Sequence, residues 1–238
     1  MKTNKFFAMA AVLTLSCGVA LAGDTGQLTF DAGSQTVPDA NPLGLTLSTN
    51  LGGISGNISS LTVSLDISGG YNGDLYAYLS GPDGGFAVLL NRVGESGSSA
   101  FGYDDTGFEV TFDDSAANGD IHLYQEAAGY SLNGSGQLTG TWAPDGEDID
   151  PASSPSSFTG GGGADLSSFD GSGADGTWTL FLADLSGGGQ STVVSWGLDI
   201  TTVPEPSALA LLALGLGGVI LFRRRRSRNG VGYVAKQS

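Results

Sequence analysis

The clearest pattern in the chain is alternation. Between Ile58 and Ile67, Leu61, Val63, Leu65 and Ile67 fall on one side and Thr62, Ser64 and Asp66 on the other. A period of two describes a strand with one buried face. Leu75–Leu79, Phe86–Leu90, Phe108–Phe112, Ile121–Tyr124, Thr177–Ala183 and Val193–Ile200 read the same way. Breaks such as Gly69-Gly70-Tyr71-Asn72-Gly73 and Gly187-Gly188-Gly189 divide them as turns. No stretch between residues 24 and 200 carries a helical period. Short strands joined by glycine-rich turns predict an all-β domain, a jelly-roll-like β-sandwich. Residues 24–56 are looser, with one strand predicted at Leu45–Leu47. They are either a first strand that closes a sheet or a flexible lead-in. Residues 144–175, rich in Gly, Ser, Pro and Asp, predict a long loop inside the domain, because the strands after it still need partners. The sandwich is therefore placed at residues 57–202, with 23–56 leading into it.

Two apolar runs at the ends follow a different rule. Lys2 and Lys5 precede an apolar run from Phe6 to Val19, then Ala20-Leu21-Ala22. A basic start, a short apolar helix and a small-x-small site predict a secretory signal peptide over 1–22, cleaved after Ala22. Cys17, the only cysteine, falls inside it. The mature chain is thus expected to lack disulfide and thiolate chemistry. At the other end Val203-Pro204-Glu205-Pro206 leads into an apolar stretch from Ser207 to Phe222, then Arg223, Arg224, Arg225 and Arg226. A helix over 207–222 reaches about 24 Å at 1.5 Å per residue. That is short of a ~30 Å bilayer core, but arginines snorkel and favour the cytoplasmic side. A single transmembrane helix is expected there, followed by a basic and polar tail over 229–238.

Charge sharpens the contrast between body and ends. The formal charge is −15, yet eight of the nine cations lie in the two ends. With those eight cations set aside, 24 acidic side chains face Arg92 alone, a formal −23. Such a body repels phosphate backbones, which excludes nucleic acid as a partner, and it attracts divalent cations. The 40 glycines belong to the turns.

The order Pro204-Glu205-Pro206, apolar span, Arg223–Arg226 resembles the PEP-CTERM sorting signal of bacterial exported proteins. The resemblance implies an exosortase-type processing enzyme as partner. It also implies a precursor held in the inner membrane and a destination at the cell surface or outside the cell, among exopolysaccharides. A second resemblance spans about 58–201. Asn72-Gly73-Asp74-Leu75, Leu79-Ser80-Gly81-Pro82-Asp83-Gly84 and Phe112-Asp113-Asp114-Ser115-Ala116 come first. Leu166-Ser167-Ser168-Phe169, Gly176-Thr177-Trp178-Thr179-Leu180, Ala183-Asp184 and Ser195-Trp196-Gly197-Leu198-Asp199-Ile200 follow. Together they resemble the P domain (P/Homo B) of kexin- and furin-type proprotein convertases. Gly81 interrupting the Ser-Pro pair and Val193-Val194 in place of a glycine-rich turn depart from that pattern. The family implies an eight-stranded jelly-roll sandwich that packs beside a subtilisin-like catalytic domain.

No catalysis is expected of this chain itself. A serine-protease triad needs a histidine base beside a nucleophile, and the single histidine, His122, falls in an apparent strand. It reads as a surface or packed strand residue. Acids at 104/105 and 113/114, with Asp145, Glu147, Asp148 and Asp150, offer the hard oxygens that Ca²⁺ takes. Asp74, Asp113 and Asp114, inside the P-domain-like segments, are the expected calcium ligands, and solvated turn acids are the alternative. Trp178 and Trp196 share a phase with Leu180 and Leu198 and are expected in the core. Trp142, beside Pro144 at a loop edge, is the expected exposed platform for a sugar ring. Arg92 reads as an ion-pair or turn residue. The expected function is that of an exported, non-catalytic sandwich, structural or adhesive in the envelope or an exopolysaccharide matrix. An accessory domain for a subtilisin-like protease and a carbohydrate-binding module are the alternatives.

Overall fold

The computed structural model of the chain describes residues 25–160 and 162–203. Among these the strands are β1 (Thr25–Thr36), β2 (Asn41–Leu51), β3 (Asn57–Ser68), β4 (Leu75–Ser80) and β5 (Phe86–Asn91). They continue as β6 (Gly107–Phe112), β7 (Leu138–Trp142), β8 (Gly176–Asp184) and β9 (Thr192–Val203). One sheet has the order β1-β9-β3-β6-β7 and the other β2-β8-β4-β5. The alternation of β3 buries Ile58, Leu61, Val63, Leu65 and Ile67. On β8 it buries Trp178, Leu180 and Leu182, and on β9 Val193, Trp196, Leu198 and Ile200. Both tryptophans expected in the core are there. The two inner faces make one continuous apolar cluster, as two packed sheets require.

Three elements differ from the expectation. Residues 25–51 form two strands that complete both sheets, where a single strand at Leu45–Leu47 is expected. β1 lies antiparallel on β9, pairing Phe30 with Trp196. β2 lies antiparallel on β8, pairing Leu47 with Leu180. Both are edge strands in which Leu28, Phe30, Leu45 and Leu47 are half-buried, Leu43 is exposed and Leu51 is buried, so their alternation is weak in the sequence. Ile121–Tyr124 is not a strand. It belongs to a 3₁₀ segment, Ile121–Glu126, in which Ile121, His122 and Tyr124 are all buried. The Asp120 carboxylate accepts from the His122 N–H at 2.8 Å and starts the turn there. β7 had no period to announce it, since Gly140 and two threonines separate Leu138 from Trp142. It pairs parallel with β6, while the other strand pairs are antiparallel.

The long loop after β7 is present and carries only short 3₁₀ turns, at Pro155–Ser157 and Leu166–Phe169. It runs back along β5. Asp145 N–H donates to the Leu89 carbonyl at 3.2 Å and Gly146 N–H to that of Val88 at 2.9 Å. Val88 N–H in turn donates to Ala164 O at 2.8 Å. The loop therefore serves as a partner for the free edge of β5. The signal helix with Ala22 and Cys17, the transmembrane helix over 207–222 and the tail over 229–238 lie outside the described residues. Among the described residues no helix is long and apolar enough to cross a membrane.

Candidate functional site

The loop strapped onto β5 brings Asp145 and Glu147 against the 3₁₀ segment that holds His122. All three side chains are buried, with Asp145 wholly inaccessible and Glu147 5% exposed. Gly146 between them has φ +67°, a left-handed conformation that glycine adopts without strain. A Cβ there would also meet the backbone of Gly162 and the Asp165 carboxylate. His122 Nδ1 stands 2.9 Å from Asp145 Oδ2 and 4.0 Å from Glu147 Oε2. Its other nitrogen, Nε2, lies 2.9 Å from the Glu95 carbonyl. A carbonyl only accepts, so Nε2 carries a proton and donates it. The ring stacks on Phe158 at 6.1 Å.

Neighbouring groups fix the carboxylates on one side each. Asn91 N–H donates to Asp145 Oδ2 at 3.0 Å. Thr159 donates to Glu147 Oε1 from its N–H at 2.8 Å and its hydroxyl at 3.0 Å. The second oxygens, Asp145 Oδ1 and Glu147 Oε2, are buried without a hydrogen-bond partner, as is Asn91 Oδ1. Asn91 Nδ2 is engaged with the carbonyls of Glu147, at 2.9 Å, and Ile149, at 3.2 Å. Burial alone would push the His122 pKa down, but the Asp145 hydrogen bond and the carboxylate charges hold it up, to about 9. Burial raises Asp145, and His122 pulls it back. Asp120, at the head of the segment, is pushed up to about 7, first by burial and then by the charges of Asp145 and Glu147.

Among the described residues this trio is the one group of three or more His, Cys, Asp or Glu side chains whose donor atoms converge, all within 4.8 Å. It is a buried cluster able to hold a metal ion. The three acids expected as calcium ligands are not gathered. Asp113 Oδ1 accepts from Ser115 N–H at 2.8 Å and Ser115 Oγ at 2.7 Å, which closes its own turn. Asp114 accepts the N–H groups of Leu166, at 3.1 Å, and Ser167, at 2.7 Å, and so pins the loop. Asp74 is buried near Arg92, Ser186 and Asp39; burial raises its pKa and Ser186 and Arg92 draw it back. Asp145 and Glu147 are among the loop acids that the sequence offers to calcium, whereas the strand-like spacing of Ile121–Tyr124 gives no reason to join His122 to them. The signal for it was Asp120 two positions earlier, a helix-starting acid rather than a strand residue.

Trp142 is a correction. It has no accessible surface, and its Nε1–H donates to the Thr139 carbonyl at 3.0 Å. It packs edge-on against Tyr124 at 6.2 Å. As the last residue of β7 it points into the core, so it is no sugar platform. Arg92 is the ion-pair residue expected: Nε lies 2.7 Å from Glu95 Oε2, and Nη2 donates to Ser186 Oγ at 3.1 Å.

The sorting segment begins where the last strand ends. Thr202, buried near the end of β9, donates from Oγ1 to the Ser55 carbonyl at 2.7 Å, and β9 stops at Val203. Pro204-Glu205-Pro206 follows. Residues 202–226 match the PEP-CTERM protein-sorting motif. Pro204, Glu205, Pro206 and Arg223–Arg226 fall inside the matched span, which thus starts within β9. A PEP-CTERM signal is recognised by exosortase. It marks a membrane-anchored precursor that is processed for export to the cell surface or the extracellular space.

No curated protein matches the chain. A crystal structure of an Aeromonas sobria serine protease in complex with the chaperone ORF2 is similar over 77% of this chain and 28% of that one, with 15% identity and TM-score 0.42. A structure of the A. sobria serine protease is similar over 76% and 27%, with 14% identity and TM-score 0.41. The chain spans little more than a quarter of the length of either.

Proposed function

We propose that this is an exported, non-catalytic β-sandwich of P/Homo B, jelly-roll type, with a structural or adhesive role in an exopolysaccharide-rich envelope or matrix. The sorting motif directly after the closing strand carries the reading, because it joins the sandwich to a signal that exosortase recognises. The site supports the non-catalytic half. The only histidine of the chain has both ring nitrogens engaged, one on Asp145 and one on a backbone carbonyl. A general base needs a free nitrogen within reach of a substrate proton.

Sugar binding is a second reading, favoured by a different surface from the one expected. On the face of β4 turned away from the core, Tyr76 and Tyr78 lie beside Phe181, with Tyr78 stacked on Phe181 at 4.9 Å and next to Phe86 at 5.1 Å. Such a row of rings can stack on a polysaccharide.

One experiment separates the readings. The full chain and a variant lacking residues 204–238 are expressed in a PEP-CTERM host, and the protein is followed in membrane, surface and medium fractions. The full chain is expected at the surface or in the matrix, with the truncated form lost from both. An unchanged distribution would overturn the sorted-matrix reading. Retention on the host's purified polysaccharide, abolished in Tyr78→Ala, would establish the sugar binder. Co-purification with a subtilisin-like protease would replace both with an accessory role.

A further inference from the structure

We propose that His122, Asp145 and Glu147 form a structural site for a divalent first-row transition ion of the zinc class. The ion would lock the loop over 143–164 to the 3₁₀ segment at Ile121–Glu126 and to the end of β5. The argument rests on tautomer, orphaned oxygens, spacing and charge.

The Nε2–H of His122 is committed to the Glu95 carbonyl at 2.9 Å, which leaves Nδ1 as the nitrogen facing the two carboxylates. Metal-binding histidines are held this way, with the far N–H on a carbonyl and the near lone pair on the ion. Each carboxylate has one oxygen fixed by protein donors and one without a partner, although Asp145 is fully buried and Glu147 nearly so. Buried acceptors left unpaired are rare and costly. Glu147 Oε2, one of these orphans, is the atom 4.0 Å from Nδ1. Ligand atoms ~2.0–2.2 Å from a tetrahedral ion stand about 3.3–3.6 Å apart. The observed separations from Nδ1, 2.9 Å to Asp145 Oδ2, which also accepts the Asn91 N–H, and 4.0 Å to Glu147 Oε2, bracket that value.

Charge points the same way. Asp145 and Glu147 bring two carboxylates together in the interior, with Asp120 on the backbone of the facing turn. A divalent ion with a neutral imidazole and the same carboxylates is neutral, which removes the largest cost of burying them. The imidazole nitrogen selects the ion. Ca²⁺ and Mg²⁺ take oxygen ligands, whereas nitrogen with carboxylate suits zinc and its neighbours. The trio spans residues 122–147, and the only cysteine, Cys17, lies in the predicted signal peptide, so a metal would be the one covalent-like crosslink open to the mature chain.

The test uses the full chain, purified in detergent without a histidine tag and stripped with EDTA. Zn²⁺ is expected to bind at one equivalent and to raise Tm by about 5–10 °C at a free concentration near 100 times Kd. Ca²⁺ is expected to leave Tm unchanged. Glu147→Gln keeps an oxygen for Thr159 but loses the anionic ligand, and is expected to weaken Zn²⁺ binding at least tenfold. Because His122 is the sole histidine, its ring also gives a single set of imidazole NMR signals in the wild-type protein. Stoichiometric Zn²⁺ should shift them and Mn²⁺ should broaden them, whether or not the variant folds. A folded wild-type protein with no Zn²⁺-dependent Tm shift and an unmoved imidazole signal would overturn the proposal. So would Zn²⁺ binding unaltered in a folded Glu147→Gln.

Discussion

Asp184 closes β8 with no exposed surface. Its Oδ1 accepts the Ser186 N–H at 3.3 Å and its Oδ2 has no partner. Burial, with Asp74 and Asp39 nearby, pushes its pKa up to about 6, against the pull of the Ser186 N–H and Arg92. A raised carboxylate pKa favours the folded state while the group is protonated, below about pH 4, and that advantage disappears as pH rises through about 6. Asp184→Asn is therefore expected to stabilise the protein by about 1–2 kcal/mol at pH 7.5 and by nothing at pH 3.5. Urea denaturation of both forms at the two pH values checks it. An equal difference at both would show that the carboxylate's charge is not the cause. Such a group is invisible in the sequence: Ala183-Asp184 reads as a strand end, and burial is decided by β2 and β4 pairing on either side of β8. Trp142 teaches the same point in reverse. Its neighbour Pro144 spoke for a loop edge, but parallel pairing with β6 set Trp142 opposite Phe112 and turned both inward.

At the scale of elements, β1 and β2 cover the outer edges of β9 and β8. Together they contribute Leu28, Phe30, Leu45 and Leu47 to the rim of the core and bury Leu51, and the connection between them buries Val37. A chain that begins at Asn57 would leave two long strands with unpaired backbone groups, a template for intermolecular pairing. Expression of residues 57–238 in place of 23–238 is therefore expected to give aggregate or unfolded protein, seen by size-exclusion chromatography and circular dichroism. A monomeric, cooperative unfolding transition from the shorter chain would show that these strands are dispensable. β3, β4, β5, β6, β8 and β9 were legible because each presents a full apolar face. β2 was legible only at Leu45–Leu47 and β1 only as an alternative to a lead-in, because an edge strand packs on one flank and tolerates polar residues. The Ile121–Glu126 segment was misread because buried residues fall at 121, 122 and 124, a spacing that short windows share between strand and 3₁₀ turn.

For the molecule as a whole, the charge is concentrated in the folded body. With the eight cations of the two ends set aside, 24 acids face Arg92 as the one remaining lysine or arginine, and Arg92 is already bound to Glu95 inside the fold. Nothing basic is left on the body to offset the surface acids, so self-repulsion opposes compaction. With EDTA present, Tm is expected to rise by several degrees between about 10 mM and 500 mM NaCl as the screening length falls from ~30 Å to under ~5 Å. A Tm independent of salt would mean that the acids are too dispersed to repel. The same distribution sits beside a sorting signal that marks a membrane-anchored precursor processed for export.

By itself the sequence determined the class of the fold and the address. Period-two alternation and glycine turns are local properties, and a targeting signal is read from residues in line. Tertiary structure alone decided the site. His122 and Asp145 are 23 positions apart, and no local pattern joins them. They meet because β7 pairs parallel with β6, which sends the following loop back across β5 and lays Asp145 and Glu147 over the Asp120-capped turn. That convergence depends on strand order and on which sheet edges remain free, and no local periodicity encodes either.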